Sequence, residues 1–482
     1  MLHFKAIGKI MGALLFLLGS LMLPAAAISW IYGEDSSPIL ISAAISLLIG
    51  LILFFSFSKQ DQLIRKREGY LIVALSWILM TGFGMIPFII SEEVTTTADA
   101  LFETVSGLTT TGATILTDIE AMPKGLLFWR SMTHWIGGLG IIVLTVAIFP
   151  LLGIGGIELF VAESPGPTSD KVHPRISETA KRLWYIYVGL TVICTLLFWA
   201  GGMTFFDAIN HSFATMATGG FSTKNSSLAF YDSAYIEYVA VIFMFLAGTN
   251  FTLLYFGAVG KFNRIFKNDE FKTYSIGLLV ISILIAVPIY MHSDIGVELA
   301  FRKSLFQVVS VVTTTGFITD DYTQYGSGVT FVFFMLLFLG GCAGSTSGGI
   351  KFIRHTVFLK NSWLEFKRIV HPRAIVPLII NGERVTGRII NNIMNFLLIY
   401  LMTFVVGSLI ISMLGYDLAT SLGAVATCLD NAGPAIGKVG PVDNFAFFSS
   451  EAKVVLSFIM LLGRLELFTI LILFTPFFWR AN

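Results

Sequence analysis

The sequence predicts an all-α polytopic membrane protein built from four similar repeats and an N-terminal pair of spans. Charged residues make up only 13% of the 482 residues and hydrophobic residues 55%, whereas soluble domains carry about 25% charged residues. Apolar runs of about 18 to 20 residues recur, and each is long enough to cross a bilayer as a helix. One short segment ending in glycine occurs four times, each time between two apolar runs.

The N-terminal spans come first. Lys5 and Lys9 precede an apolar run at Met11–Ile31, which resembles a signal peptide. The run is too long for the usual apolar core of about 7 to 15 residues in a signal peptide. A second apolar run at Pro38–Phe57 follows after a short turn. We therefore expect a retained hairpin of two spans.

The connecting segments alternate in charge along the chain. Basic segments are expected to face the cytoplasm, so the acidic ones lie outside. Both termini then fall on the cytoplasmic side, which requires an even number of spans, and we count ten. The basic segments are Lys59–Gly69, Lys171–Arg182, Lys261–Lys272 and Lys351–Arg388, and the acidic positions are Glu92, Glu93, Asp99, Asp118, Glu120, Asp294, Asp320 and Asp321.

The repeated segments end at Gly112, Gly220, Gly316 and Gly433, which are 108, 96 and 117 residues apart. Each begins with an amphipathic helix too short to cross the bilayer and ends in a small, polar loop. Non-helical backbone at this depth must be buried in protein or line a water-filled cavity, so we expect the four loops to converge on one axis. The predicted division is an N-terminal hairpin at 1–69 and repeats, each a span, a re-entrant helix, a loop and a span, at 70–181, 182–270, 271–387 and 388–482.

Four converging loops of this composition suit a cation. Rings of backbone carbonyls can replace a hydration shell, glycine allows the backbone to turn them inward, and the negative ends of four helix dipoles face the ion. A single Thr-Thr-Thr-Gly run would equally serve helix packing, but four copies favour an ion site. The predicted ion-binding residues are Thr110, Thr111, Gly112, Thr218, Gly219, Gly220, Thr314, Thr315, Gly316, Asn431, Ala432 and Gly433.

On these four segments the sequence resembles the Trk/Ktr/HKT superfamily of potassium transporters, most closely its TrkH-type membrane subunits, over essentially the whole chain. The filter glycines of that family correspond to Gly112, Gly220, Gly316 and Gly433. The resemblance implies gated potassium uptake across a bacterial inner membrane, a homodimer, and a cytosolic nucleotide-binding regulatory ring of TrkA type. A secondary transporter that couples potassium to protons or sodium is the alternative, because broken helices and repeats also occur there. Repeats of the same topology favour a continuous pore.

The four segments are not identical. Gly219 replaces the threonine of the first and third loops, and the fourth loop contains Asn431 and Ala432 in place of threonines. The coordination shell is therefore not fourfold symmetric, and the sequence does not predict strict exclusion of sodium or rubidium.

Two further features suggest a gate. The stretch 340–349 contains five glycines, and each glycine costs ~1 kcal/mol in a helix relative to alanine, so we expect an unwound intramembrane loop; a close packing surface for helices is the alternative. In TrkH-type proteins, by resemblance, this loop gates the pore. Arg464 lies inside the last apolar run, where charged residues usually face a cavity; a structural pair with Glu466 is the alternative. The predicted gate residues are Gly340, Gly341, Gly344, Ser345, Thr346, Ser347, Gly348, Gly349 and Arg464.

The sequence argues against an enzyme. The residues around Ser347 lack the G-x-S-x-G spacing, and Ile350 stands where a phosphate-binding loop requires lysine. Three distant cysteines predict neither a disulfide framework nor a zinc site. We expect no cofactor and, from a net charge of +1, no nucleic-acid partner.

The remaining conspicuous residues receive structural interpretations. The glycine clusters at 137–140 and 153–156 are expected to support close helix packing, and His134 and His211 are expected to be hydrogen-bonded interior side chains, with proton relay as the alternative. The basic segment Lys351–Arg388 is a candidate docking surface for a cytosolic partner or for anionic membrane lipid.

Overall fold

The structure is a computed structural model that describes residues 4–57, 66–138, 140 and 176–480. Gly153–Gly156, Leu139 and the first residues of the basic segments at 59 and 171 lie outside the described residues. The described residues are mostly helical, and the strands among them form one small hairpin, which pairs Ile379–Ile380 with Glu383–Arg384.

The N-terminal hairpin consists of Phe4–Ile31 and Ser37–Ser56, which pack tightly against each other. A Cβ on Gly12 would stand 2.7 Å from the carbonyl oxygen of Gly50, so the two backbones approach closely at this pair. Small residues allow such approach between membrane helices. The first helix also packs against both long helices of the first repeat, and the hairpin is therefore part of the same helical body.

The four segments predicted to be repeats show one order of elements: a long helix, a short helix, a loop and a second long or broken helix. The first long helices are Lys66–Gly84, Ile176–Ala200, Asp269–His292 and Gly387–Met413, and the first two start where a described segment starts. The repeat boundaries remain a prediction. The helices of the first two repeats are Lys66–Gly84, Ile86–Ile90, Thr97–Leu108 and Lys124–Gly138, then Ile176–Ala200, Phe205–Met216, the 3₁₀ turn Ser227–Tyr231, Ala234–Ala247, Phe251–Ala258 and Phe262–Lys267.

The last two repeats follow the same plan, with the small β-hairpin between them. The helices of the third repeat are Asp269–His292, Val297–Val312, the 3₁₀ turn Tyr322–Tyr325, Ser327–Leu336 and Phe352–Val370. Those of the fourth are Gly387–Met413, Leu418–Asp430, the 3₁₀ turn Gly437–Val439, Ser450–Arg464, Phe468–Leu471, the 3₁₀ turn Ile472–Phe474 and Pro476–Trp479.

The four short helices, which we call half-helices 1 to 4, contain 12, 12, 16 and 13 residues. At 1.5 Å per residue they extend about 18–24 Å, less than the ~30 Å hydrocarbon core. Three begin with a side-chain cap, because Thr96, Thr204 and Asp417 each accept a hydrogen bond from an amide three residues later. They are therefore too short to cross the membrane, and their re-entrant course remains a prediction from the sequence.

Six helices among the described residues are long and apolar enough to cross a membrane, or eight if two bent pairs each form one span. The protein is therefore a multi-pass membrane protein. We assign the other two of the ten predicted spans to two shorter helices. One is Lys124–Gly138, which ends where the described segment ends, and the other is Ser327–Leu336, which is followed by a non-helical loop. The total of ten remains a prediction.

The last span is broken, contrary to the continuous apolar run read from the sequence. Ser450–Arg464 meets the following helical turns at 107°. The break occurs where Glu466 and Leu467 adopt positive φ angles of 53° and 58°. Arg464 is consequently the last residue of a helix rather than the middle of one. Hydrophobicity alone could not indicate this break, because Leu465 and Leu467 on either side of Glu466 continue the apolar pattern.

Candidate functional site

The loops after the half-helices, at 109–112, 217–220, 313–316 and 430–433, share one backbone conformation; we call them loops 1 to 4. Their second residues, Thr110, Thr218, Thr314 and Asn431, have φ angles of 55°, 53°, 56° and 59°. Their final glycines have φ angles of 80°, 76°, 78° and 89°. Residues other than glycine rarely adopt positive φ, so four such threonine and asparagine positions identify the loops as structural equivalents.

The same hydrogen bond closes each loop onto its half-helix. The amide of the third loop residue donates to the carbonyl five positions earlier, over 2.8–3.1 Å. These bonds hold the third residue's backbone while the glycine that follows turns away with positive φ. The four bonds are Thr111 to Ser106, Gly219 to Ala214, Thr315 to Ser310 and Ala432 to Thr427.

The four loops meet in a closed ring. A Cβ on each loop glycine would stand less than 3.0 Å from the third-residue carbonyl oxygen of the next loop. Glycine is therefore required at these positions for two reasons: the backbone has a positive φ, and there is no space for a Cβ. The sequence prediction that these four positions converge agrees with this geometry. The neighbours are Gly112 with Gly219, Gly220 with Thr315, Gly316 with Ala432, and Gly433 with Thr111.

The side chains of the ring are buried and unevenly bonded. Thr109 and Thr313 share hydrogen bonds of 2.7 Å with Thr111 and Thr315 in loops 1 and 3. Loops 2 and 4 lack this hydroxyl pair because of Gly219 and Ala432. In loop 4, the Asn431 amide donates instead to Thr111 Oγ1 over 3.0 Å and ties the fourth loop to the first. The asymmetry read from the sequence is thus present in the structure.

The stretch 340–349 is non-helical and lies against three of the four repeats. The amide of Gly348 donates to Thr314 Oγ1 over 2.7 Å, and the Thr346 hydroxyl donates to the Met216 carbonyl over 3.0 Å. A Cβ on Gly348 would overlap the carbonyl oxygen of Asp430. This intramembrane loop therefore contacts the end of half-helix 2, loop 3 and loop 4 at once.

Buried charged residues hold both ends of the intramembrane loop. Glu270 Oε1 accepts the amides of Ala343 and Ile353 over 2.7 and 3.1 Å. The buried Lys351 side chain donates to the Ser347 carbonyl. The loop is therefore unwound in backbone conformation but fixed by charge-assisted hydrogen bonds.

Arg464 contacts the intramembrane loop and the first repeat. Its guanidinium donates to the Thr346 carbonyl and to the Gly138 carbonyl, both over 2.8 Å, and also to the Gly137 carbonyl. Glu466 forms an ion pair with Arg354. Gly137 and Gly138 also pack closely, since a Cβ on Gly138 would stand 2.6 Å from Ala217. From the sequence, this glycine cluster was interpreted only as a packing surface. The bonds from Arg464 to its backbone carbonyls could not be predicted, because every residue type has such a carbonyl.

The two interior histidines are hydrogen-bonded as expected. His134 Nδ1 lies 2.7 Å from the Gly107 carbonyl, and its ring stacks on Phe221 at 4.0 Å. His211 lies 2.8 Å from the Asp207 carbonyl and 2.9 Å from Ser222 Oγ. Of the two, His134 lies directly against loop 2, since a Cβ on Gly219 would stand 2.5 Å from its ring.

The fold and the ring define a class: multi-pass α-helical membrane proteins in which four loops after half-helices meet at one place. Residues 35–274 and 275–481 match the TrkH family, described as a cation transport protein, and the chain belongs to that family. The family consists of transport proteins, which confirms the prediction that the chain is not an enzyme.

Several relatives match the chain from end to end. The Trk system potassium uptake protein TrkH of Salmonella typhimurium is 40% identical over 484 residues, covering 99% of this chain and 100% of the relative. The protein of the same name from Vibrio parahaemolyticus is 40% identical over 487 residues and covers both chains fully. The crystal structure of the potassium transporter TrkH from Vibrio parahaemolyticus matches with a TM-score of 0.89 at 38% identity, covering 99% of this chain and 100% of that one.

Proposed function

We propose that this protein conducts potassium ions into a bacterial cell through the ring formed by loops 1 to 4. The observation that carries the proposal is the closed ring, in which each loop glycine lies against a backbone carbonyl of the next loop. The names of the relatives, potassium uptake proteins, supply the ion.

The chemistry of the ring suits a dehydrated monovalent cation. Carbonyl oxygens at the ring and the carbonyl ends of the half-helices present partial negative charge. In this proposal the ligands are the twelve residues from Thr110–Gly112, Thr218–Gly220, Thr314–Gly316 and Asn431–Gly433. Because Gly219, Asn431 and Ala432 break the symmetry of the shell, we expect preference for potassium over sodium to be incomplete.

The proposed gate consists of the intramembrane loop at 340–349 and Arg464. The loop contacts loops 3 and 4 directly, and Arg464 bonds the loop to the first repeat. A fixed positive charge near an ion path raises the energy of a passing cation. Displacement of the loop and of Arg464 would lower that barrier, so conduction would depend on their position.

The proposed assembly is a homodimer in the bacterial inner membrane, with both termini in the cytoplasm. A cytosolic nucleotide-binding ring of TrkA type would dock on the basic segment Lys351–Arg388. Support comes from the helix Phe352–Val370, which follows the intramembrane loop directly and has exposed apolar side chains, including Trp363 at 77% and Phe366 at 67%. A partner on this helix would act directly on the loop.

Ion flux into liposomes that contain only the purified protein tests the proposal. Potassium, sodium and a large organic cation are compared under imposed gradients. Potassium flux down its own gradient, with no other ion required, supports a gated pore. Flux that appears only with a proton or sodium gradient would replace the pore by the coupled secondary transporter. Because the proposed gate can be closed without its partner, a variant that lacks Gly344–Gly348 is measured as well, and no potassium flux from either protein would contradict the proposed function.

A further inference from the structure

Nine positions before each loop glycine lies a residue of the half-helix, and three of these four residues are polar: Glu103, His211 and Gln307, with Ala424 as the fourth. Each polar side chain bonds the segment that leaves its own loop. Glu103 accepts the amide of Ile115 over 2.9 Å, His211 bonds Ser222 Oγ over 2.9 Å, and Gln307 donates to the Asp320 carbonyl over 2.9 Å. The three side chains therefore hold, by hydrogen bonds, the segment that follows the loop glycine of their own repeat.

In the first repeat, the side chain that makes this bond, Glu103, also belongs to an ion pair. Arg130 Nε lies 2.6 Å from Glu103 Oε1, and the two side chains are 2% and 0% exposed. Arg130 Nη1 also donates to the carbonyl oxygen of Ser222 over 3.0 Å. Ser222 follows Gly220, and Ile115 follows Gly112. One buried ion pair therefore holds the exit segments of loops 1 and 2 together.

An aromatic stack continues from this pair to the back of loop 2. The Arg130 guanidinium lies 3.4 Å from the centroid of the Phe221 ring, an arrangement that stabilises a desolvated cation. Phe221 stacks on His134, and a Cβ on Gly219 would stand 2.5 Å from the His134 ring. Any displacement of Arg130 therefore moves side chains that lie directly against loop 2.

We propose that the Glu103–Arg130 ion pair is a selectivity-determining positioning element that fixes the distance between loops 1 and 2. The inference rests on the proposed function, in which ions pass the ring. Burying two charges has a desolvation cost that the neutral His211 and Gln307 avoid. Two directional, charge-assisted bonds hold a geometry more closely than neutral ones, which is what a ring of carbonyls of fixed size requires. Neither side chain contacts the ion.

The test compares potassium-to-sodium permeability ratios in liposomes. Glu103→Gln keeps the size of the side chain and removes its charge, which leaves Arg130 unpaired. We expect the ratio to fall about tenfold, equivalent to about 1.4 kcal/mol of selective binding. Potassium flux of the unmodified protein is measured in parallel. Absence of flux both from this protein and after deletion of Gly344–Gly348 would contradict the proposed function, whereas an unchanged ratio in the variant would overturn only the role of the ion pair.

The matched control is Glu237→Gln. Glu237 and Arg302 form another ion pair, at 3.2 Å and with both side chains largely buried, but this pair joins the second and third repeats. None of its described hydrogen bonds reaches a segment that leaves a loop. We expect this variant to lose thermal stability and keep its permeability ratio. An equal fall in both variants would overturn the inference, because the effect would then follow from destabilisation.

A second variant covers the case in which Glu103→Gln does not fold. Thr114→Val removes the hydroxyl that donates to Glu103 over 2.9 Å and leaves the ion pair in place. We expect a smaller fall in the ratio, about threefold, since one bond that positions the Glu103 carboxylate is lost while its bonds to Arg130 and to the amide of Ile115 remain. An unchanged ratio in folded Thr114→Val would mean that the position of the Glu103 carboxylate does not affect the permeability ratio, and it would therefore overturn the inference.

Discussion

Arg464 Nη1 donates to the carbonyl oxygen of Thr346 over 2.8 Å, and this bond joins the end of the helix Ser450–Arg464 to the intramembrane loop. The hydroxyl of the same threonine donates to the Met216 carbonyl at the end of half-helix 2. Arg464 also bonds Gly138 of the first repeat. One side chain thus holds the loop against two repeats, and its positive charge remains beside the proposed ion path.

We predict that Arg464→Met raises potassium flux by about tenfold or more. The change removes the charge and the hydrogen bonds that hold the loop, and a barrier lowered by about 1.4 kcal/mol gives a tenfold rate. Rubidium uptake into liposomes measures the effect. Arg388→Met is the control, since Arg388 is exposed in the fourth repeat. Equal or lower uptake by Arg464→Met would remove this residue from the gate.

Deletion of Gly344–Gly348 is predicted to raise flux and to retain preference for potassium. The deletion removes the bonds from Thr346 to Met216 and from Gly348 to Thr314, while the ring contacts between neighbouring loops do not involve these residues. Flux and the potassium-to-sodium ratio are measured in the same liposomes. Unaltered flux would contradict the assignment of a gate, and loss of all selectivity would show that the loop supports the ring.

Replacement of Gly316 by serine is predicted to weaken the preference for potassium over sodium. Gly316 has a φ of 78°, and an added Cβ would overlap the Ala432 carbonyl and stand 3.0 Å from Pro434. Loop 3 must therefore move, and positive φ adds about 1–2 kcal/mol of strain. Gly328→Ser is the matched control in the same repeat, because nothing lies within 4 Å of a Cβ there. An unaltered ratio in Gly316→Ser would exclude this loop from the filter.

The sequence was sufficient to predict the elements that repeat. Four copies of a segment ending in glycine predicted the half-helices and the convergence of Gly112, Gly220, Gly316 and Gly433. Five glycines in ten residues predicted the unwound stretch at 340–349. These features were predictable because a glycine requirement at positive φ, or several glycines within one helix, is a local property of the chain.

The sequence could not predict relationships between repeats. Glu103 and Arg130 are 27 residues apart, and their bonds to both loop exits depend on the packing of two repeats. The break after Arg464 has the same origin. Glu466 pairs with Arg354, 112 residues away, and this contact lies at the turn that interrupts an apolar run. The periodicity of apolar residues indicates which face of a helix is buried, but not which residues pack against that face.

Asp430 is the clearest case of a residue whose environment does not match its chemistry. It is the first residue of loop 4, fully buried, and neither carboxylate oxygen has a hydrogen-bond partner among the described residues. The equivalent residues of loops 1 and 3 are Thr109 and Thr313. Their hydroxyls each donate to the carbonyl four positions earlier over 2.7 Å. At this position the threonine hydroxyls are therefore hydrogen-bonded, whereas the aspartate carboxylate has no hydrogen-bond partner among the described residues.

We predict that Asp430→Thr stabilises the protein by about 1–3 kcal/mol, the usual cost of a buried polar group without a partner. The new hydroxyl would donate to the Ala426 carbonyl, as its equivalents do in loops 1 and 3. The midpoint of thermal unfolding in detergent measures the gain. Asp417→Thr at the start of the same half-helix is the control. Asp417 is exposed, and its carboxylate accepts a hydrogen bond from the Thr420 amide over 3.0 Å. Threonine is nearly as good a helix cap as aspartate, so this variant should leave the midpoint unchanged. A lower midpoint for Asp430→Thr, with the control unchanged, would mean that the carboxylate has a stabilising partner, and a cation held beside loop 4 would then be the first candidate to examine.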